Sequence, residues 1–232
     1  FLHKEVLLIS NFYKRCSQMD KNQVTLKLSQ QGIIAVVRGK TMEDGVKIAD
    51  ACIEGGVKAI ELAFTTPRGQ EAIKTLVDKY KDDPDVIIGA GTVLDTTSCR
   101  IAILEGAKFI VSPCFNEEIV RMCNLYRVVS CPGVMSPTGA VAALTAGADI
   151  IKVFPGDIVG TSMIKDIHGP LPQASLMPSG GVSVDNAADW LKAGAVAVSA
   201  GGSLTGAAKT GDYAGVTAKA KEFVKAIAAA RA

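Results

Sequence analysis

Histidine is scarce in this chain, and long apolar runs and a large excess of either charge are missing. Only His3 and His168 occur, and none of the six cysteines stands in a CxxC pair. The usual ligands of a zinc site are therefore lacking, and neither a metal nor an organic cofactor is expected. No run approaches the ~20 apolar residues that a membrane-spanning helix needs. The 25 Lys+Arg nearly balance the 23 Asp+Glu, for a net charge of +2, so there is no basic footprint for nucleic acid. The glycine-rich GAGTV stretch does not fit a dinucleotide fingerprint, since no GxGxxG opens the next helix. Wholesale disorder is excluded by 48% hydrophobic against 21% charged residues.

What is present fits one large domain. At 232 residues, α/β barrels routinely stay undivided. Such a chain can bury roughly 70% of the surface its unfolded form exposes. Residues 1–18 precede Met19, and their VLLI stretch is too short for a signal-peptide core. They are expected to be an extension ahead of a natural start at Met19; a helix over LLISNFYKRC is the alternative. Asp20 can cap a short helix through about Gln31, with Gly32 ending it. Cys16, Cys52, Cys99, Cys114, Cys123 and Cys131 read as small packed side chains, and free thiols suit a reducing cytoplasm.

From there the chain repeats one plan. Eight short runs read as strands: IIAVVR, AIELAF, VIIGAGTV, FIVSP, VVSCPGV, IIKVF, SLMPSGG and VAVSAGG. They begin near Ile33, Ala59, Val86, Phe109, Val128, Ile150, Ser175 and Val196, about 19 to 27 residues apart, which leaves room for one helix and two loops each. Near-continuous apolar runs, rather than alternating ones, point to parallel strands covered on the outside. Helix patterns fill the gaps. Thr41 with Asp44 three residues later caps a segment whose Val46, Ile48, Ala49 and Cys52 recur at helical spacing, and Gly55 is expected to stop it. Asn116 followed by two glutamates suits another helix start. Further helices are read in SPTGAVAALTAGA, DNAADWLKAGA and the closing YAGVTAKAKEFVKAIAAARA. The expectation is a (β/α)8 TIM barrel over residues 19–232 with a short N-terminal helix; a doubly wound open sheet is the runner-up.

Chemistry in such a barrel sits at the C-terminal ends of the strands. Two residues break the apolar strand pattern. Lys152 in IIKVF is the only lysine in the middle of an expected strand. Pointing inward, it would enter a partly desolvated lumen, where the charged form is disfavoured and a neutral amine can attack a carbonyl. Glu61 in AIELAF likewise lies between apolar neighbours. Both strands are even-numbered, so the two side chains can share an interior layer, and a carboxylate beside a lysine can move the protons that Schiff-base chemistry requires. A buried ion pair without chemistry is the alternative. Glycines close the last two strands, in SGG at 179–181 and in AGGSL at 200–204. Backbone N–H groups approach an anion closely at such positions, so phosphate binding is expected there. Thr92 and Arg38, each at a strand end, are candidates for gripping a substrate anion.

The segments IELAFTTP, IIGAGTV, FIVSP, PGVMSPT, IIKVFPG and PSGGV, in this order, resemble the 2-keto-3-deoxy-6-phosphogluconate (KDPG) aldolases, also called KDPG/4-hydroxy-2-oxoglutarate aldolases. The likeness covers Met19 to the C-terminus, and IKVFPG with PSGG is its most specific part. The resemblance implies a metal-free class I aldolase, trimeric, on a (β/α)8 barrel. It implies that Lys152 forms the Schiff base with the pyruvate moiety and that Glu61 is the general acid/base. Thr92 would bind the pyruvate carboxylate, and Pro113 and Phe154 would shape the pocket around its methyl group. Gly180, Gly181, Gly202 and Ser203 would hold the substrate phosphate. One position departs: where some members carry an Arg four residues after the catalytic Glu, this chain has Thr65, and Arg38 is expected to take that Arg's place in space. The expected partners are a phosphorylated keto-deoxy sugar acid, pyruvate and further copies of the chain in a homotrimer. The expected reaction yields pyruvate and glyceraldehyde 3-phosphate, with 4-hydroxy-2-oxoglutarate as a further substrate. Alternatives are the 6-phosphogalactonate epimer, an isomerase that uses the Lys/Glu pair without an adduct, and a non-catalytic sugar-phosphate-binding barrel.

Overall fold

A computed structural model describes residues 20–231; the expectations for residues 1–18 lie outside them. The first helix, α1 (Lys21–Gln31), starts where expected. The Asp20 carboxylate accepts from the Gln23 N–H at 2.9 Å, and the Gln23 side chain accepts from the Asp20 N–H at 3.0 Å. Gly32, at φ 72°, ends it in the left-handed conformation. Most of α1 is polar. Its Val24 and Leu28, one turn apart, are buried against Ile34, Ala59, Ile87, Phe109, Val129, Ile150, Met177 and Ala197. These residues lie at or just before the N-terminal parts of the strands, so α1 closes that end of the lumen. Beneath it Lys21 pairs with Asp149 at 3.0 Å, and Asp149 also accepts from the backbone N–H and hydroxyl of Ser130.

The chain then alternates: β1 (Ile33–Val37), α2 (Met42–Glu54), β2 (Ala59–Ala63), α3 (Gly69–Lys79), β3 (Ile87–Gly91), α4 (Thr96–Leu104), β4 (Phe109–Val111), α5 (Glu117–Tyr126), β5 (Val129–Cys131) and β6 (Gly133–Val134). It continues through α6 (Pro137–Thr145), β7 (Ile151–Val153), α7 (Gly156–Val159), α8 (Ser162–His168), β8 (Leu176–Pro178), α9 (Val184–Lys192), β9 (Val198–Ala200), α10 (Gly202–Thr205), a 3-10 turn (Gly206–Thr210) and α11 (Tyr213–Arg231). The expected fifth strand, VVSCPGV, is divided at Pro132, because proline has no N–H to give to a ladder. The two short helices after β7 were not read from the sequence. Gly55 keeps a right-handed conformation, and its neighbour Gly56 turns the chain at φ 96°.

All strand pairs are parallel. Six strands run in the order β5-β4-β3-β2-β1-β9 and three in the order β6-β7-β8. Pro132 joins the two runs at one edge, and its carbonyl accepts from the Lys152 N–H at 2.9 Å. At the other edge Ser179 bridges Ser199. The result is a curled parallel sheet, TIM-barrel-like, with helices outside. Alternation sorts the faces. Ile33, Ala35, Val37, Ile60, Leu62, Ile88, Ala90, Ile110, Ile151 and Val153 pack outward under the helices. Residues of opposite parity face the lumen. Arg231 at the end of α11 donates to the carbonyls of Ser29, Gln30 and Val196 at 2.5–2.7 Å, capping the end of α1.

Candidate active site

Strand parity brings the two pattern-breaking residues together. Lys152 has the parity of Ile150 and Glu61 that of Ala59, so both point inward. Their side chains are buried, with Lys152 at 5% exposure and Glu61 at 0%. Lys152 Nζ lies 3.7 Å from Glu61 Oε1. Neither Glu61 oxygen accepts a hydrogen bond among the described residues. A buried carboxylate without such bonds has acceptor capacity available for a reacting partner.

Three glycines make the room. A Cβ on Gly91 would stand 2.2 Å from Glu61 Oε1 and 2.5 Å from Glu61 Cγ. A Cβ on Gly89, one inward step earlier on β3, would strike the Phe109 ring at 2.5 Å. Gly133 pairs with Lys152 in the ladder, and a Cβ there would lie 2.3 Å from the Pro113 carbonyl oxygen. A glycine inside a strand often marks such a close approach. Deeper in the lumen, burial pushes the Cys131 thiol up, and the carboxylates of Asp149 and Glu61 add to the effect.

Above the pair opens a cavity of about 340 Å³. Of the expected residues, Lys152, Arg38, Thr92, Pro113, Phe154, Gly180, Gly181, Gly202 and Ser203 all line it. The Phe154 ring centroid is 5.3 Å from Lys152 Nζ, and the Phe154–Pro155 peptide is cis. Thr92 lies just past β3 with φ 55°, a conformation a β-branched residue rarely takes, which costs of order 1–3 kcal/mol. Gly180 and Gly181, at φ 90° and 68°, fold tightly over Asp157; a Cβ on Gly181 would meet Asp157 Cβ at 2.6 Å. A Cβ on Gly202 would meet nothing within 4 Å. The Ser203 hydroxyl donates to the Val182 carbonyl at 2.5 Å, holding the two glycine loops together. Thr65 is exposed in the turn after β2 and is not among the lining residues, whereas Arg38 is. Ser179 and Ser199 also line the cavity, buried and with their hydroxyls 3.4 Å apart. Ser199 was missed, although it breaks an apolar run as Lys152 does.

Among the described residues no group of three or more His, Cys, Asp or Glu is placed to hold a metal ion, and no helix is long and apolar enough to cross a membrane. Five free cysteines are described: Cys52, Cys99, Cys123 and Cys131 are buried, and Cys114 is exposed.

A lysine and a carboxylate in a curled parallel sheet, under glycine loops, fit the aldolase class of lyases, and comparison with known proteins shows that class. Residues 24–219 match the family model described as KDPG and KHG aldolase, so the chain belongs to that family. The chain is 33% identical over 195 residues to the 2-dehydro-3-deoxy-6-phosphogalactonate aldolase of Escherichia coli (strain K12), covering 84% of this chain and 93% of that one. It is also 33% identical over 204 residues to the 2-dehydro-3-deoxy-phosphogluconate aldolase of Treponema pallidum, covering 86% and 95%. Among solved structures it resembles a KDPG aldolase from Legionella pneumophila, with pyruvate captured as a covalent carbinolamine intermediate, at TM-score 0.77 and 27% identity. That likeness covers 85% of this chain and 96% of the other.

Proposed function

We propose that this protein is a class I aldolase that cleaves 2-dehydro-3-deoxy-6-phosphogluconate to pyruvate and glyceraldehyde 3-phosphate through a Schiff base on Lys152. The observation that carries the reading is the buried Lys152–Glu61 pair, 3.7 Å apart, with Lys152 lining a cavity that the glycine loops also line and Glu61 behind it. The uncharged Lys152 amine adds to the C2 ketone, and the carbinolamine loses water to give an iminium. That cation accepts the electron pair of the C3–C4 bond as it breaks, while Glu61, through a solvent molecule, takes the proton of the C4 hydroxyl. The aldehyde product leaves. The enamine is protonated at C3, and hydrolysis releases pyruvate and the amine.

In the same reading Thr92 and Arg38 hold the substrate carboxylate, Pro113 and Phe154 pack against the pyruvate methyl, and Gly180, Gly181, Gly202 and Ser203 hold the phosphate. We further propose that the nine strand segments close into one eight-stranded barrel, a reading supported by the Pro132 junction and the Ser179–Ser199 bridge. The family resemblance supports assembly into a homotrimer, with the exposed apolar side chains of Leu94, Leu104, Met135, Val141 and Ile158 as candidates for its contacts. The free thiols suit a cytoplasmic setting.

Incubation with pyruvate and borohydride, followed by peptide mass mapping, tests the chemistry. The adduct is expected on Lys152 and is expected to be lost in Lys152→Ala; an adduct elsewhere, or none, refutes the mechanism. A second substrate reading, the 6-phosphogalactonate epimer, is favoured by the equal identity to a relative named for it. Pyruvate release from the two C4 epimers, and from 4-hydroxy-2-oxoglutarate, measured side by side separates them.

A further inference from the structure

A second recess of about 250 Å³ opens beside the cavity and shares Val36, Arg38 and Gly202 with it. Its outer wall carries Lys40 and Lys209, over a floor of Ile48 and Ala208. Lys40 Nζ donates to the Lys209 carbonyl at 2.9 Å, which fixes that ammonium at the rim and ties the loop after β1 to the 3-10 turn. Asp44 is the one carboxylate lining the recess among the described residues, and its oxygens are engaged. One accepts from the Lys40 backbone N–H at 2.7 Å, the other from the Tyr213 hydroxyl at 2.8 Å. No ion pair among the described residues involves Arg38, Lys40 or Lys209. Between the two recesses stands Gly202, with open space where its side chain would be.

We infer that this recess is a second anion subsite, which takes a phosphoryl group joined to the one in the glycine loops, so that the protein binds diphosphates across Gly202. The inference rests on the reading of those loops as a phosphate cradle. Three cationic residues line the recess against one already bonded carboxylate, and a monophosphate in the cradle leaves Lys40 and Lys209 without a counter-charge. A second phosphoryl group, joined to the first through a bridging oxygen, supplies it. A diphosphate so seated fills the cradle without presenting a ketone to Lys152, and therefore competes with phosphorylated substrate.

Isothermal titration calorimetry on the intact protein tests this without depending on turnover. Inorganic pyrophosphate is expected to bind at least about tenfold more tightly than inorganic phosphate, a ratio worth ~1.4 kcal/mol. Saturating phosphate is expected to weaken the pyrophosphate isotherm, because the two share the cradle. In the double variant Lys40→Met with Lys209→Met, both at exposed positions, the ratio is expected to fall to about twofold. Equal affinities in the parent protein, or a ratio that survives in the double variant, overturn the subsite while sparing the cradle. Binding of neither anion overturns both.

Discussion

Replacing Gly91 with alanine would test whether the position of the Glu61 carboxylate, and not its presence alone, sets the rate. Gly91 has no left-handed backbone to protect, so the substitution acts through one methyl group. That methyl would arrive 2.2 Å from Glu61 Oε1, where ordinary contact begins at 3.4 Å, so the carboxylate must retreat by about 1.2 Å. Glu61 is fully buried and cannot swing into solvent. Overpacking of this kind costs about 1–3 kcal/mol, which lowers the melting temperature by roughly 2–12 °C in a chain of this size. Misplacement of a catalytic group by ~1 Å costs on the order of 10²-fold in turnover. Gly89→Ala supplies the comparison. Its methyl strikes the Phe109 ring at 2.5 Å, so it strains the same strand without touching a reacting group. With pyruvate release coupled to lactate dehydrogenase, Gly91→Ala should lose about 10²-fold in kcat and Gly89→Ala far less at equal thermal destabilisation. Equal losses in kcat, or a Gly91→Ala protein within about threefold of its parent, would refute the positional argument.

Three further outcomes are expected. Ser203→Asp should raise KM for the phosphorylated substrate through charge repulsion, with a smaller effect on 4-hydroxy-2-oxoglutarate; an unchanged KM removes the cradle. Lys21→Met leaves the half-buried Asp149 without its cation and should cost about 2 kcal/mol in urea unfolding, partly restored by Asp149→Asn in the same chain. A loss below about 1 kcal/mol would show that the pair under α1 is dispensable. Among the described cysteines, exposed Cys114 should react first with a thiol reagent at neutral pH. Cys52, which burial pushes up to about 12, should stay protonated and inert until the chain unfolds; mass mapping after brief labelling reads both.

Much of this arrangement was legible from strand pattern alone. Lys152 and Glu61 stood out because a charged residue inside an apolar strand must face something that tolerates it, and two even-numbered strands can bring both into one interior layer. The cap at Asp20, the stop at Gly32 and the start at Thr41 followed from local hydrogen-bonding chemistry. Contacts between distant residues were harder to read. The break at Pro132 depends on which neighbour asks that residue for an N–H. The role of Gly91 depends on which side chain crosses over from β2. Thr92 read as a strand end, which does not foretell its left-handed backbone. Thr65 fell outside the cavity, because the chain has already turned away from the lumen at that point.

The Arg231 latch bears on how the molecule comes apart. Its guanidinium bonds join residues 201 and 202 positions apart, so neither partner gains them until nearly every intervening unit has assembled. Amides at the end of α1 should therefore exchange with deuterium only as rarely as the whole molecule opens, although that helix is short and mostly polar. An early-exchanging α1 would mean that the first helix lifts away independently, uncovering the lumen from below.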